Sequence, residues 1–316
     1  MVRSRRAPLV VAAIDIGSYS VHVLVSQVRG RRLETLHDES AFLGLGRTVD
    51  AEFAIGTATA SLVETLGRYV SRARELGAFA IVVAGTDPLR RAADTPAVRA
   101  EIARATGVEP VVLSHEEEAK VALLGVQVGR SVARETVMVD VGGGSTEVLV
   151  AGPDAEPFAR GLPLGAARLS GLLVDHDPPL PSELRALVDH AAAAFVDAPE
   201  AAPREMLAVG GTARSLLRVG APLANRALTK RRIRSALGLL GAAPAAIIAD
   251  RYAVRLSRAR VLPAGASILL AALGHYGLDH LRVTKGGLRE GLVLARVHAG
   301  PAWRDHIHDL ARGWDA

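Results

Sequence analysis

The sequence contains no cysteine, which excludes disulfide bonds and thiolate metal sites and fits a reducing cytoplasm. Aromatic residues are only 3% of the chain and do not interleave with basic ones, so stacking platforms for single-stranded nucleic acid are missing. No apolar run is long enough to span a bilayer, and the arginine-rich residues 1–6 are not followed by the apolar segment of a secretory signal. We therefore expect a cytoplasmic protein without nucleic-acid or membrane partners.

The remaining composition is that of a globular protein. The chain has 316 residues, of which 49% are hydrophobic, and this length is typical of about two domains. The formal net charge is +5. A positive balance favours anionic partners, and a polyanion made of phosphate alone needs no aromatic stacking.

Two short glycine-bearing loops are the most informative feature of the sequence. Residues 15–18 read Asp-Ile-Gly-Ser, and residues 140–147 read Asp-Val-Gly-Gly-Gly-Ser-Thr-Glu. Each loop lies between two apolar runs, which predicts a strand, a tight turn and a second strand. Glycine lets successive backbone N–H groups point into one concavity that can hold an anion, and the aspartate ending each leading strand can hold a hydrated metal.

The context of the loops excludes two common phosphate-binding motifs. A Rossmann fingerprint or a Walker loop requires a helix after the glycines, whereas each of these loops is followed by a predicted strand. A single glycine-rich hairpin is more often only a turn. Two copies of the same unit instead indicate two related domains that face each other across a phosphate-binding cleft.

Three glutamates open a predicted helix at residues 114–129. Ser114 and Glu117 have the spacing of a capping box, and acidic residues offset the helix dipole at this end, so at least one glutamate has a purely structural explanation. Glu118 is the one left over. If the helix starts beside the two loops, Glu118 could orient or deprotonate a water molecule that attacks a terminal phosphorus.

Arg90 follows a predicted strand at residues 79–83, where a strand end meets a cleft. An arginine in a loop is usually solvated, but its forked guanidinium also binds phosphate well, and the residues alone leave the two interpretations even. The ten histidines form no His-x-x-x-His pair. His176 and His308 are isolated, so we interpret the histidines as surface residues rather than metal ligands.

These motifs, taken in order, resemble those of the exopolyphosphatase / guanosine pentaphosphate phosphohydrolase (Ppx/GppA) family. The resemblance runs over residues 9–298 and implies an α/β fold of duplicated actin-like ATPase (ribonuclease H-like) domains with an active-site cleft between them. The expected domains are residues 1–130 and 131–316. The implied activity is the magnesium-dependent release of a terminal phosphate from a phosphoanhydride chain. The matching segments are residues 15–18, 86–92, 114–119, 140–147, 210–212, 262–265 and 287–291.

The resemblance also implies roles for individual residues. Glu118 matches the family's catalytic glutamate, and Asp140 and Glu147 match acids that bind Mg²⁺ or another divalent cation and position water. Asp140 thus counts with Glu118 as catalytic, and Asp15 on the opposite loop is expected to assist the metal through water. Residues implied to bind phosphate are Gly17, Ser18, Arg90, Gly142, Gly143, Gly144, Ser145 and, in a less sharply defined region, Arg258.

Four positions depart from the family pattern. Tyr19 replaces an asparagine of the first loop, which is expected to alter the grip on the substrate, and His115 replaces a glycine before the glutamates. Arg260 and Lys285 stand where the family usually has acidic residues, and they add positive charge near the expected cleft. We expect this charge to favour a long polyanion over a single nucleotide.

Several alternatives stay open at this stage. Inorganic polyphosphate and guanosine pentaphosphate are both candidate substrates, and Tyr19 and His115 also permit a non-catalytic sensor of polyphosphate or an alarmone. Sugar and acetate kinases use the same fold, although the ordered motifs argue against them. The resemblance leaves a homodimer open.

Overall fold

The first of two β-sheets lies near the start of the chain in the computed structural model, which describes residues 9–153, 155–220 and 226–313. Residues 1–6 lie outside these ranges. The strand order is β3-β2-β1-β4-β5, with β1 antiparallel to β2 and parallel to β4. The strands are β1 (Leu9–Ile16), β2 (Ser20–Arg29), β3 (Arg32–Phe42), β4 (Ala80–Gly85) and β5 (Val111–Val112).

The second sheet repeats this pattern with one additional edge strand. Its order is β10-β11-β9-β6-β7-β8, with β6 antiparallel to β7 and parallel to β9. Without β10, the order and the directions match those of the first sheet, so the duplicated α/β fold predicted from the sequence is confirmed. The strands are β6 (Thr136–Val141), β7 (Thr146–Ala151), β8 (Phe158–Leu162), β9 (Glu205–Val209), β10 (Ala227–Thr229) and β11 (His280–Val283).

Helices cover the faces of both sheets. They are α1 (Leu45–Glu52), α2 (Thr59–Glu75), α3 (Asp87–Arg91), α4 (Thr95–Thr106), α5 (His115–Gln127), α6 (Ala166–Leu173), α7 (Pro181–Ala194), α8 (Gly210–Leu216), α9 (Lys230–Ala242), α10 (Ala245–Arg251), α11 (Leu256–His275), α12 (Leu288–Ala299) and α13 (Ile307–Arg312). The start of α5 carries the three glutamates, and β1–β2 and β6–β7 form the two glycine-bearing hairpins. The predicted hairpins therefore face the expected glutamate helix.

The last two helices return to the first sheet. Leu292 of α12 and Ile307 of α13 are buried in one apolar cluster with Val11 of β1 and Leu124 of α5. The division into residues 1–130 and 131–316 stays a prediction, and this packing favours grouping α12 and α13 with the first sheet.

Helix α11 is longer than the buried helix predicted at residues 262–273. It has 20 residues and contains Pro263, whose ring normally interrupts a helix, so the sequence suggested a later start. By length and composition α11 could cross a membrane, which corrects the expectation that no apolar segment is long enough. However, 78% of its apolar window is buried inside the protein, as in a core helix.

Candidate active site

The two glycine-bearing turns lie against each other. In each turn a glycine amide donates to a serine carbonyl three residues on: Gly17 to Ser20 at 3.2 Å and Gly142 to Ser145 at 3.0 Å. Gly144 lies so close to Asp87 that a Cβ would come within 2.1 Å of a carboxylate oxygen. A Cβ there would also come within 2.6 Å of the Ser18 hydroxyl, so the glycine lets the second loop approach the first.

A cavity of about 130 Å³ lies between the loops. Most of the site residues predicted from the sequence line this cavity, and Glu118 is one of them. Arg90 and Glu147 do not line the cavity, but they lie beside Glu118. The predicted residues that line the cavity are Asp15, Gly17, Ser18, Glu118, Asp140, Gly142, Gly143, Gly144, Ser145 and Arg258.

The start of α5 separates its glutamates by function. The Ser114 hydroxyl accepts from the Glu117 amide at 3.1 Å, and the Glu117 carboxylate accepts from the Ser114 amide at 2.7 Å, which completes the predicted capping box. Glu117 also pairs with Arg304. Glu118 takes no part in the cap, is buried, and borders the cavity.

Arg90 binds the carboxylates rather than the open cavity. One guanidinium nitrogen, Nη1, donates to Glu118 at 2.6 Å, and the other, Nη2, lies 3.4 Å from Glu147. Nη2 also lies 3.0 Å from the Nδ1 atom of His115 and 3.4 Å from the Ser145 hydroxyl. Its role in gripping phosphate stays a prediction, because these contacts would have to be exchanged for phosphate oxygens.

Burial raises the pKa values of all four acids at the site. The pKa of Glu118 rises to about 8 through burial and the nearby Glu147 charge, and Arg90 opposes this rise. Burial likewise raises the pKa of Glu147 to about 8, again against Arg90. The pKa of Asp15 rises to about 7, and that of Asp140, opposed by Arg214, to about 6. Because burial disfavours their ionised forms, a bound cation would stabilise these four carboxylates.

The donor set fits a hard divalent cation such as magnesium. Asp140 and Glu147 are directly opposed on β6 and β7, so their side chains project from the same face of the hairpin. The Oδ1 atom of Asp15 is buried and has no hydrogen-bond partner among the described residues. Carboxylate oxygens are the protein ligands that Mg²⁺ prefers, and an orphaned buried oxygen is satisfied by a hydrated cation.

Several site residues were not predicted from the sequence. Arg214 of α8 and Arg289 of α12 line the cavity together with Arg258. Arg289 was visible within the Gly-Leu-Arg-Glu-Gly motif at residues 287–291, but Arg214 lies outside the matched segments and gave no signal. His22 also lines the cavity, and burial lowers its pKa to about 3, so it is neutral there.

Two of the four departing residues contribute no charge to this cavity. Lys285 is exposed and lines neither the cavity nor its larger neighbour. Arg260 is also exposed and borders a second cavity, of about 1160 Å³, on the other side of the loops. The arginines that line the smaller cavity are instead Arg214, Arg258 and Arg289.

Tyr19 connects the first loop to the second half of the protein. Its hydroxyl donates to the carbonyl of Ser257, its ring contacts Phe42 edge-on at 4.9 Å, and the guanidinium of Arg258 lies 5.1 Å from the ring centre. At this departure from the family pattern, an aromatic ring stands where the family has the amide side chain of asparagine. The contact between this ring and the guanidinium orients Arg258.

Comparisons with known proteins place the chain in one family. The family model of the Ppx/GppA phosphatase family matches residues 23–299. Exopolyphosphatase 1 from Mycobacterium leprae is 30% identical over 301 residues, which cover 90% of this chain and 88% of that protein. Guanosine-5'-triphosphate,3'-diphosphate pyrophosphatase from Aeromonas hydrophila is 28% identical over 89% of this chain, but the match covers only 58% of that protein.

A solved structure has the same fold. The crystal structure of the Ppx/GppA family member from Aquifex aeolicus superimposes with a TM-score of 0.78 at 25% sequence identity. The superposition covers 93% of this chain and 99% of that one. The fold of nearly this whole chain, with its two sheets, therefore matches that of the whole solved chain.

Proposed function

This chain belongs to the Ppx/GppA phosphatase family, and on that premise we propose that it hydrolyses the terminal phosphoanhydride bond of inorganic polyphosphate and releases orthophosphate. The observation that carries the proposal is the position of Glu118. It is a buried glutamate at the start of a helix, not used in the cap, and it borders a cavity formed by two glycine-bearing loops.

The chemistry assigns a role to each side of the cavity. The backbone amides of the two turns, other than those of Gly17 and Gly142 that close them, hold the terminal phosphate by anion binding. Glu118 accepts a proton from a water molecule whose oxygen attacks the terminal phosphorus. The bond between that phosphorus and the bridging oxygen breaks, so orthophosphate and a chain shorter by one unit are released.

Asp140 and Glu147 are the residues proposed to hold a divalent cation, with Asp15 on the facing loop as the third acid. When bound, such a cation would neutralise the negative charge on the phosphate oxygens. The chain's own contribution is to bring these acids together on two hairpins and to keep them buried among backbone amides.

Two observations favour polyphosphate as the substrate. The exopolyphosphatase relative is matched over nearly its full length, whereas the guanosine-phosphate relative is matched over little more than half. Besides its acids, the cavity is lined by Arg214, Arg258 and Arg289 and by backbone amides, and Tyr19 is the only Phe, Tyr or Trp among the described residues that line it. A phosphate chain needs only positive charge and N–H donors, while a guanine base needs a specific pocket.

Guanosine pentaphosphate is the second candidate, and the larger neighbouring cavity favours it. That cavity is lined by Tyr19 and Phe42, against which a base could stack, and by Arg47. In this alternative, the triphosphate would lie between the loops and the nucleoside would occupy the larger cavity.

Competition kinetics separates the two candidates. With phosphate release measured in the presence of magnesium, we expect a higher specificity constant for long-chain polyphosphate, an affinity that increases with chain length, and an affinity that falls as salt screens the arginines. A higher specificity constant for guanosine pentaphosphate contradicts the proposal. Tight binding of either compound without phosphate release identifies a sensor instead.

A further inference from the structure

We infer that His115, Glu118 and Glu147 form a second cation site, which selects an imidazole-binding divalent metal such as Zn²⁺ and inhibits the enzyme by taking the carboxylate of Glu118. The inference that such a metal binds rests on the geometry of these three side chains. The inference that it inhibits rests on the proposed function, in which Glu118 acts on water.

The three donors already converge. One atom from each of His115, Glu118 and Glu147 lies within 4.8 Å of the others, so small side-chain movements would bring all three onto one metal ion. The Nδ1 atom of His115 is 2.8 Å from Oε1 of Glu147. Histidine nitrogen and carboxylate oxygen are both zinc ligands, and a water molecule can complete four-coordination.

The backbone leaves space for the imidazole. His115 belongs to α5, yet its ring lies against Gly161 on β8, where a Cβ would come within 2.1 Å of the histidine Cγ. Gly161 is directly opposed to Glu147 in the pairing of β7 with β8. The glycine thus allows a side chain from the first half of the protein to reach the carboxylate of the second.

The positively charged guanidinium of Arg90 already lies among the three side chains of the proposed site. The guanidinium of Arg90 contacts all three donors, at 2.6 Å from Glu118, 3.0 Å from His115 and 3.4 Å from Glu147. A metal would take over the contacts that the guanidinium makes, and Arg90 would turn to the cavity.

This site differs in ligand type from the magnesium site proposed above. Asp15 and Asp140 offer only oxygen atoms, which suit magnesium, whereas His115 adds a nitrogen that suits zinc, cobalt or nickel. The two sites share Glu147. A softer metal bound by His115 would therefore withdraw Glu147 from the magnesium site and Glu118 from the water molecule.

The binding test uses Zn²⁺ in equilibrium dialysis and Co²⁺ as a spectroscopic probe, on the full chain without substrate. Three variants are compared with the wild type: His115→Gly removes the nitrogen ligand, and Gly161→Ala displaces the imidazole without changing any ligand. His176→Gly is the matched control, because His176 also pairs with a glutamate, Glu183, at 2.9 Å but is exposed.

We expect His115→Gly and Gly161→Ala each to lose one equivalent of tightly bound Zn²⁺ and the Co²⁺ visible absorption of a nitrogen-ligated site. The double variant should lose no more than either single variant, and His176→Gly should retain both signals. Thermal unfolding in chelator identifies a Gly161→Ala variant that fails to fold, in which case His115→Gly and His115→Gln together test the loss of the nitrogen ligand. Zinc binding that is unchanged without His115 overturns the site.

The inhibition test measures phosphate release at saturating magnesium with increasing Zn²⁺, each variant being compared with its own zinc-free rate. We expect the concentration for half inhibition to rise at least tenfold in His115→Gly and not in His176→Gly. Equal inhibition of both overturns the regulatory role. If the wild type binds zinc through His115 but releases no phosphate in the absence of zinc, the proposed function is contradicted. The inference that a metal binds at His115 still stands in that case.

Discussion

The guanidinium of Arg90 donates to the carboxylate of Glu118 across 2.6 Å, from side chains that are only 13% and 11% exposed. Arg90 is therefore the cation that compensates the proposed general base while no substrate is bound. A terminal phosphate offers the same guanidinium two oxygens in a better geometry. Substrate binding would then draw Arg90 from Glu118 and leave the carboxylate to act on water.

Replacing Glu118 with glutamine should abolish turnover while substrate binding persists. The amide keeps the size of the side chain but cannot accept a proton from water. General-base assistance is worth about 10²–10⁴-fold, so we expect phosphate release to fall by that factor. Glu116→Gln is the control, because Glu116 lies two residues earlier on the same helix but is exposed. A Glu118→Gln rate above about a tenth of wild type contradicts the assignment.

Replacing Asp140 with asparagine should weaken the dependence on magnesium. Removing one of the carboxylates proposed as ligands lowers the affinity for a hard cation, so more magnesium should be needed for half-maximal activity. The stabilisation of the folded protein by magnesium should shrink as well, as measured by the unfolding temperature. Asp279→Asn, at a 95% exposed side chain, is the control. An unaltered magnesium requirement, or full wild-type activity in excess chelator, contradicts the role of Asp140.

Much of the fold could be predicted because its signals are local. The hairpins at β1–β2 and β6–β7 follow from apolar runs around glycine turns, and α5 follows from its capping box. Elements without a local signal were misjudged. The strand predicted at residues 108–113 is only Val111–Val112, because pairing with the edge of β4 rather than propensity limits it.

The contacts within the site could not be predicted for a related reason. Arg90, His115 and Glu147 are separated by 25 to 57 positions from their partners in the cluster, and no periodic pattern connects them. They meet because the two sheets face each other. His115 was interpreted as a surface residue, and its side chain is 39% exposed, but the glycine opposite, Gly161, lets the ring reach Glu147.

Replacing Gly144 with alanine should separate the two loops. Its Cβ would lie 2.1 Å from a carboxylate oxygen of Asp87 and 2.6 Å from the Ser18 hydroxyl, so the hydrogen-bonded Ser18 and Asp87 side chains, or the loops themselves, must shift. Because the phosphate is proposed to be held by both loops, we expect kcat to fall at least tenfold, with chain integrity checked by thermal unfolding. Gly238→Ala is the control, since nothing lies within 4 Å of a Cβ there. A Gly144→Ala enzyme with wild-type kcat contradicts contact between the loops in the active state.

The raised pKa values of the buried acids should make the metal-free protein less stable at higher pH. The pKa of Glu147 is about 8 in the folded state, against 4.5 for an unperturbed glutamate. A group whose pKa rises on folding binds a proton more tightly in the folded state. Its contribution to stability is therefore complete below about pH 4.5 and is lost as the pH rises through 8.

Thermal unfolding in chelator, measured from pH 5 to pH 8.5, tests this effect of Glu147. We expect the unfolding temperature of the wild type to fall over this range relative to that of Glu147→Gln, which cannot titrate. Magnesium should reverse most of the loss at pH 8, because it replaces the proton as the compensating charge. Parallel curves for wild type and Glu147→Gln would mean that Arg90 alone keeps this carboxylate ionised, and the cation would then not be needed to stabilise it.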